Sequence, residues 1–254
     1  MGILKDVFLG FFPRSMRLPM WYGVKKICGS LDPEIDYLKR RIPSEKMMID
    51  IGANIGIYSF AFAGRCQSVA AFEPQPSCYQ VLSSYRSKKI QAYQLALSSK
   101  PGKMELHVPV KNRSVLTGLA TFREVDGEYQ KLQVEVSTLD QYEFKNVGFI
   151  KIDVEGHEAD VIRGGINTIR SQRPVMLIEA EQKYSAEPLE KTFQMILDEG
   201  YRGGFLLNDV WHPLEEFSVK KYQSAFQKDI EAERYKNIRG KYVGNFIFEP
   251  AERV

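Results

Sequence analysis

The sequence predicts an α/β fold, a doubly wound and mainly parallel sheet of about seven strands. Three observations carry that expectation. Apolar runs of strand length alternate with stretches of helical periodicity. The run Met47-Met48-Ile49-Asp50-Ile51 is almost continuously apolar, as suits a strand buried on both faces. A glycine-bearing turn, Gly52-Ala53-Asn54-Ile55-Gly56, then leads into a helix, the arrangement by which such sheets bind nucleosides.

The elements follow in order. Asp32 to Arg41 reads as a short helix, capped by Ser30 or Asp32 and stopped by Pro43. A strand over Lys46 to Ile51 precedes the helix from Gly56. A second strand covers Ser68 to Glu73, and a helix from Pro76 to Tyr85 carries Val81 and Leu82 at core spacing. A third strand runs from Ile90 to Leu97. The rhythm then changes, because Lys103 to Val108 and Leu132 to Val136 alternate in polarity like half-buried strands around the polar segment 109–130. This is a β-hairpin-like insertion, whose Asn112-Arg113-Ser114 and Thr117-Gly118-Leu119 read either as the lining of an acceptor pocket or as plain solvated loop. Parallel sheet resumes with Val147 to Asp153, a helix through Val161 and Ile162 to Arg170, and a strand from Pro174 to Glu181. Gly164-Gly165 marks either a break or close packing in that helix. A helix from Pro188 to Glu199, a strand over Phe205 to Leu207, a helix from about Val219 to Tyr235 and a strand from Tyr242 to Phe248 complete the chain.

The 254 residues, 44% of them hydrophobic, suit one substantial core, so residues 37–254 read as a single domain and 1–36 as an N-terminal arm or lid. Lys plus Arg number 35 against 32 Asp plus Glu, a balance that argues against nucleic acid as a partner. Three cysteines, Cys28, Cys66 and Cys78, have no metal-binding spacing and no even pairing, which favours a reducing compartment, the cytoplasm. The run Val7 to Phe12, interrupted by Gly10 and ended by Pro13, is too short for a signal peptide. Residues 5–26 interleave aromatic with basic side chains, as a peripheral contact at the inner face of a membrane would, although Pro13 and Pro19 should break a long amphipathic helix.

The chemistry concentrates in two places. Gly52 and Gly56 allow a sharp bend close to a ligand, and Glu73, at the end of the next strand, offers a carboxylate to a ribose hydroxyl pair. A dinucleotide loop would carry glycine where Asn54 stands, so a side chain crowds the pyrophosphate place; S-adenosylmethionine, which has no pyrophosphate, fits better. The second cluster is Asp153-Val154-Glu155-Gly156-His157-Glu158, directly after a buried strand, with Glu179 and Glu181 ending the neighbouring one. Methyl transfer to oxygen needs in-line approach and loss of a hydroxyl proton. His157 is the candidate base, with Asp153 and Glu155 beside it, and a histidine that merely caps a helix is the other reading. Asp153, Glu155, Glu179 and Glu181 can alternatively hold a divalent cation such as Mg²⁺. Trp211 and His212 offer rings against which a sugar would stack.

At these residues the chain resembles the FkbM family of S-adenosylmethionine-dependent methyltransferases. The likeness runs from about Tyr37 to Glu181 and resumes at Asn245-Phe246-Ile247-Phe248. Three strings carry it: Ile49-Asp50-Ile51-Gly52-Ala53-Asn54-Ile55-Gly56, Phe72-Glu73-Pro74, and Ile150-Lys151-Ile152-Asp153-Val154-Glu155-Gly156-His157-Glu158. The resemblance implies a class I methyltransferase (Rossmann-like) fold, seven strands with the last antiparallel, and methylation of hydroxyls on sugars or secondary metabolites. It implies that Asp50, Gly52, Asn54 and Gly56 form the cofactor loop, that Glu73 holds the ribose, and that Asp153 lies beside the methionine moiety or acceptor. The expected activity is O-methylation of a saccharide, a surface glycan or glycolipid precursor. The alternatives are a non-catalytic nucleoside-binding module and a nicotinamide oxidoreductase.

Overall fold

A computed structural model describes residues 12–111, 114–123, 127–231, 238 and 240–251. Two helices, α1 (Arg14–Ile27) and α2 (Pro33–Lys39), precede the alternating run β1 (Met47–Ile51), α3 (Ile57–Ala63), β2 (Val69–Phe72), α4 (Pro76–Ser84) and β3 (Ile90–Tyr93). Next come β4 (Ala96–Leu97), β5 (Gly102–Lys111), β6 (Ser114–Val115) and β7 (Tyr129–Ser137). The chain returns through β8 (Val147–Asp153), α5 (Glu158–Gly164), α6 (Ile166–Gln172), β9 (Val175–Glu179), α7 (Leu189–Leu197), β10 (Tyr201–Leu207) and β11 (Val210–Pro213). Short helices α8 (Val219–Tyr222) and α9 (Gln227–Glu231) lead toward β12 (Asn245–Pro250).

Eight strands form the main sheet, in the order β11-β10-β12-β9-β8-β1-β2-β3. The five from β9 to β3 are parallel neighbours, whereas β12 runs antiparallel to both β9 and β10. Strand order reverses between β1 and β8, which opens a crevice at their carboxyl ends. Period-two alternation divides the core. Ile49, Ile51, Ile150, Ile152 and Ile178 face one side, and Met48, Phe149, Leu177 and Ile247 face the other, where Phe62 of α3 and Ile35 and Leu38 of α2 cover them. The second face also carries Asp50, Lys151 and Glu179, two residues beyond Met48, Phe149 and Leu177 in each strand. Polar groups from three strands therefore meet at one end of an apolar face.

The insertion is an antiparallel hairpin, β5 with β7, paired from Gly102 opposite Val136 to Pro109 opposite Tyr129. A 3₁₀ turn at Thr117–Leu119 lies between its strands.

Four expectations need correction, and one open alternative is resolved. The main sheet has eight strands rather than seven, because Asn208 and Asp209, both at positive φ, make a two-residue turn that folds Val210–Pro213 back on β10. The expected third strand splits, Ile90–Tyr93 pairing with β2 and Ala96–Leu97 with β7. Gly164-Gly165 does break the helix, and a Cβ on Gly164 would stand 2.0 Å from the Ser98 carbonyl, so the break is also a close contact. The helix expected from Val219 gives way to α8, a 3₁₀ turn at Ser224–Phe226 and α9, and residues 232–237 lie outside the described residues. Finally, Pro19 sits inside the 14-residue α1. It forgoes one backbone hydrogen bond near the start of that helix, and packing outweighs the loss. Leu18 is fully buried, Trp21 packs against Ile55, Cys78 and Val81, and Tyr22 tilts onto Phe60 at 4.9 Å. Residues 5–11, part of the basic and aromatic stretch, lie outside the described residues. Among the described residues no helix is long and apolar enough to cross a membrane.

Candidate active site

The loop after β1 is built by left-handed backbone. Gly52 has φ +76°, and a Cβ there would stand 1.8 Å from the carbonyl oxygen of Asp153, so only glycine lets the ends of β1 and β8 approach. Gly56, at φ +96°, precedes α3, and a Cβ would meet Leu82 at 2.5 Å and Leu18 at 3.2 Å. The left-handed φ and this packing both call for glycine. Asn54, at φ 52°, tolerates the same region and bonds its own side chain to the Ile55 N–H at 2.8 Å. Asp50 is buried beneath the loop, where one oxygen accepts from the Ser59 N–H at 2.9 Å and the Ser59 hydroxyl at 2.6 Å. It ties strand to helix.

Glu73 closes the other side. Its Oε2 accepts from the Asn54 N–H at 2.7 Å and its Oε1 from the Gln75 N–H at 2.8 Å. Each oxygen keeps a second lone pair for a hydroxyl donor. Burial pushes this carboxyl up to about 7 despite the two amides. The recess above it, about 540 Å³, has apolar walls from Phe72, Leu97, Leu106 and Val154, with Glu73 and Asp153 at its rim. The insertion roofs this recess, since the Thr117 carbonyl accepts from the Gln75 amide at 2.7 Å and the Asn54 amide at 3.4 Å. Of the expected acceptor-lining residues, Thr117 and Gly118 thus border the nucleoside side, and Asn112 and Arg113 lie outside the described residues.

Gly52, Asn54 and Asp153 also line a second recess of about 750 Å³, floored by Asp50, Lys151 and Glu179 and flanked by Trp21 and Lys25 of α1. Lys151 is 2% exposed. Its ammonium donates to Asp153 at 2.9 Å, lies 3.8 Å from Glu179 and stands 4.7 Å over the Tyr58 ring. Burial disfavours its charge, but Asp153, Glu179 and Asp50 outweigh that and hold its pKa above the ordinary lysine value. Sequence reading gave Lys151 no catalytic or ligand-binding role, only a possible hydrogen bond to the acids at the rim. A lone cation two residues before Asp153 in an otherwise apolar strand was the available signal.

The string Asp153 to Glu158 divides. Glu155 and Gly156 take positive φ in succession, 47° and 93°, and Gly156 runs so close to Tyr184 that a Cβ would stand 2.2 Å from its carbonyl oxygen. Asp153 and Glu155 face the nucleoside recess. Burial, reinforced by Asp153, Glu179, Glu181 and Glu158, pushes the Glu155 carboxyl well above the usual carboxylate range. His157 is not brought to that recess. Its Nε2 lies 2.8 Å from the Ser98 hydroxyl, its Nδ1 3.6 Å from Asp160, and Phe122 meets its ring edge-on at 4.9 Å. Burial depresses its pKa more than Asp160 raises it, contrary to the raised basicity expected of a carboxylate-backed base. Glu158 accepts from the Gly156 N–H at 2.8 Å, closing the turn.

The divalent-cation site over Asp153, Glu179 and Glu181 meets a different arrangement. The Lys151 ammonium already stands between Asp153 and Glu179, and Glu181 pairs with Lys183 at 2.6 Å. Among the described residues no group of three or more His, Cys, Asp or Glu side chains is arranged to hold a metal ion. The expected sugar-stacking rings are also engaged elsewhere. Trp211 stacks on Tyr37 at 5.8 Å, and His212 stacks on Phe205 at 5.4 Å while bonding Glu216 at 2.8 Å.

Comparison with known proteins agrees with this geometry. The family described as Methyltransferase FkbM domain matches residues 50–203, more than half of the chain. Methyltransferase sdnD of Sordaria araneosa is 28% identical over 159 residues, covering 48% of this chain and 61% of that protein. Methyltransferase 1 of Beauveria bassiana is 24% identical over 147 residues, covering 48% of this chain and 59% of that protein. The chain therefore spans about three-fifths of the curated relatives it matches. Among solved structures, Methyltransferase FkbM from Methylobacillus flagellatus superposes with a TM-score of 0.50 at 15% identity, over 97% of this chain and 58% of that one, a likeness of fold.

Proposed function

The chain belongs to the FkbM methyltransferase family, and from that premise we propose that it moves a methyl group from S-adenosylmethionine to a hydroxyl of a saccharide, such as a surface glycan or glycolipid precursor. The observation that carries the reading is the pair of recesses along the strand ends, which share Gly52, Asn54 and Asp153. A buried carboxylate with two spare lone pairs stands at one end, and an acid-lined recess opens past Asp153 at the other. The residues suit the donor. Glu73 would accept from the ribose hydroxyls, Phe72, Leu97 and Val154 would enclose the base, and Asp153 would face the amino-acid end. When bound, that donor supplies an electrophilic methyl carbon on a sulfonium, whose C–S bond breaks as the new C–O bond forms.

The chain's own contribution is position and proton removal. Gly52 and the Asp153 backbone fix the width of the cleft. Glu155, rather than His157, would take the hydroxyl proton, because it faces the recess and a carboxyl with a raised pKa is the stronger base once ionised. Lys151 bridges the carboxylates of Asp153 and Glu179 and offsets their mutual repulsion.

The test is to incubate the chain with methyl-labelled S-adenosylmethionine and fractionated host extract, then locate the label by mass spectrometry. Label in a saccharide fraction supports the reading. Label in protein or lipid removes the saccharide assignment and leaves the transferase. No label, with no calorimetric binding of S-adenosylhomocysteine, overturns both.

A further inference from the structure

The second recess sets a charge problem for the amino-acid end of the donor. Four acids line it, Asp32, Asp50, Asp153 and Glu179, together with the ammonium groups of Lys151 and Lys25. A zwitterion entering there has its own ammonium matched by the walls, but its carboxylate meets acids of like charge unless a cation or free amides receive it. The amides of the loop are already spent. Those of Gly52 and Ala53 both donate to the Phe72 carbonyl, that of Asn54 to Glu73, that of Ile55 to the Asn54 side chain, and that of Gly56 to the Ala53 carbonyl. The Ser59 N–H, in the first turn of α3, goes to Asp50. Nor do the polar side chains help, since the Tyr58 hydroxyl donates to Asp32 and the Asn54 amide to Thr117.

The two cations differ. Lys151 is held at the floor between Asp153 and Glu179. Lys25 is half-buried at the flank, and its ammonium forms no ion pair with any described residue. The helix that carries it is seated directly on the loop: Leu18 lies where a Cβ on Gly56 would approach within 3.2 Å, and Trp21 packs against Ile55. Leu18, Trp21, Tyr22 and Lys25 recur at the three- and four-residue spacing of a single helix face. The contacts that anchor α1 therefore also bring Lys25 to the recess. This helix precedes residues 50–203, which match the family, so Lys25 belongs to no shared motif.

We propose that Lys25 receives the carboxylate of the donor's amino-acid part, which makes α1 a wall of the donor site and Lys25 the residue that separates S-adenosylmethionine from adenosine thioethers lacking an amino acid. The inference rests on the methyl-transfer reading above and deepens it. Asp153 would take the ammonium and Lys25 the carboxylate, so that each charge of the zwitterion meets its opposite.

The experiment titrates S-adenosylhomocysteine, and separately 5′-methylthioadenosine, into the full chain and into its Lys25→Met and Lys25→Arg variants, with affinities read by calorimetry. 5′-Methylthioadenosine keeps the adenosine and the thioether and lacks the amino acid. The parent is read first: if it does not bind S-adenosylhomocysteine, the transferase reading falls and this inference falls with it. With that ligand bound by the parent, Lys25→Met is expected to weaken it by about tenfold or more while leaving 5′-methylthioadenosine within about twofold. Lys25→Arg should restore S-adenosylhomocysteine to within about threefold of the parent, and added salt should narrow the gap between parent and Lys25→Met. An equal loss for both ligands would mean that α1 only packs against the site. That result, an undiminished S-adenosylhomocysteine affinity in Lys25→Met, or no restoration by Lys25→Arg would overturn the proposal.

Discussion

The nucleoside end of the cleft and its acceptor end both hold buried carboxylates, but they hold them differently. At the nucleoside end Glu73 has each oxygen occupied by a backbone amide, Asn54 on one side and Gln75 on the other. At the acceptor end Glu34 keeps one oxygen without a hydrogen bond from any described residue, and burial, reinforced by the charge of Asp153, pushes the Glu179 carboxyl up. A carboxylate tied to amides is held in one orientation before any ligand arrives, as the shared part of a site should be. A carboxylate short of donors gains most from a ligand that supplies them, as the selective part should. The string after β8 repeats the contrast at smaller scale, since Asp153 and Glu155 face the cleft while His157 and Glu158 are used up in hydrogen bonds behind it.

The contrast breaks first at Gly52. Gly52→Ala places a methyl inside the Asp153 carbonyl at a positive φ, and is expected to cost more than about 3 kcal/mol of stability and to abolish S-adenosylhomocysteine binding, measured by denaturant midpoint and calorimetry. A tolerated alanine would mean that β1 and β8 are less tightly apposed than described. Glu73→Gln comes next. It turns a donor toward one of the two amides, and should lower S-adenosylhomocysteine affinity on the order of 100-fold with a stability loss of about 1–3 kcal/mol. Glu155→Gln should leave that affinity within a few-fold and lower turnover on the order of 100-fold, a split that a purely structural role would not produce.

A smaller effect comes from pH. Glu34, Glu73 and Glu158 each hold a proton to about 7 in the folded chain, against 4.5 for an ordinary glutamate. A raised folded pKa contributes stability that is complete below the unfolded value and is lost as pH rises through the folded one. The melting temperature should therefore fall between about pH 4.5 and about pH 7 in the ligand-free chain, and Glu34→Gln should make that fall shallower. A rise over the same interval would contradict the burial of these groups. The smallest change is expected from His157→Ala, with turnover within about threefold of the parent, an unchanged pH profile and a stability loss of about 1–2 kcal/mol from the severed Ser98 contact. A large fall in turnover restored by added imidazole would return His157 to the chemistry.

Much of this protein was open to reading from residues alone. Alternation of strand and helix, the hairpin insertion, the bent loop at Gly52 and the carboxylate of Glu73 are local properties, set by periodicity of two or 3.6 residues and by the few residue types that allow positive φ. The eighth strand was legible in principle, because Asn208-Asp209 is a turn pair, but four residues ending in proline are too few to announce a strand. Other features had no local signature. Which of two neighbours in a glutamate-rich string faces a ligand depends on the backbone angles at Glu155 and Gly156, and those are set by the carbonyl of Tyr184, almost thirty residues away in the chain. Lys151 became the counter-ion of Asp50, Asp153 and Glu179 only when three strands were laid in register. Sequence determined the elements, since a residue's conformational preference belongs to itself and its near neighbours. Tertiary structure decided the charges and the direction of each acid, because burial and Coulomb interaction depend on distance in space.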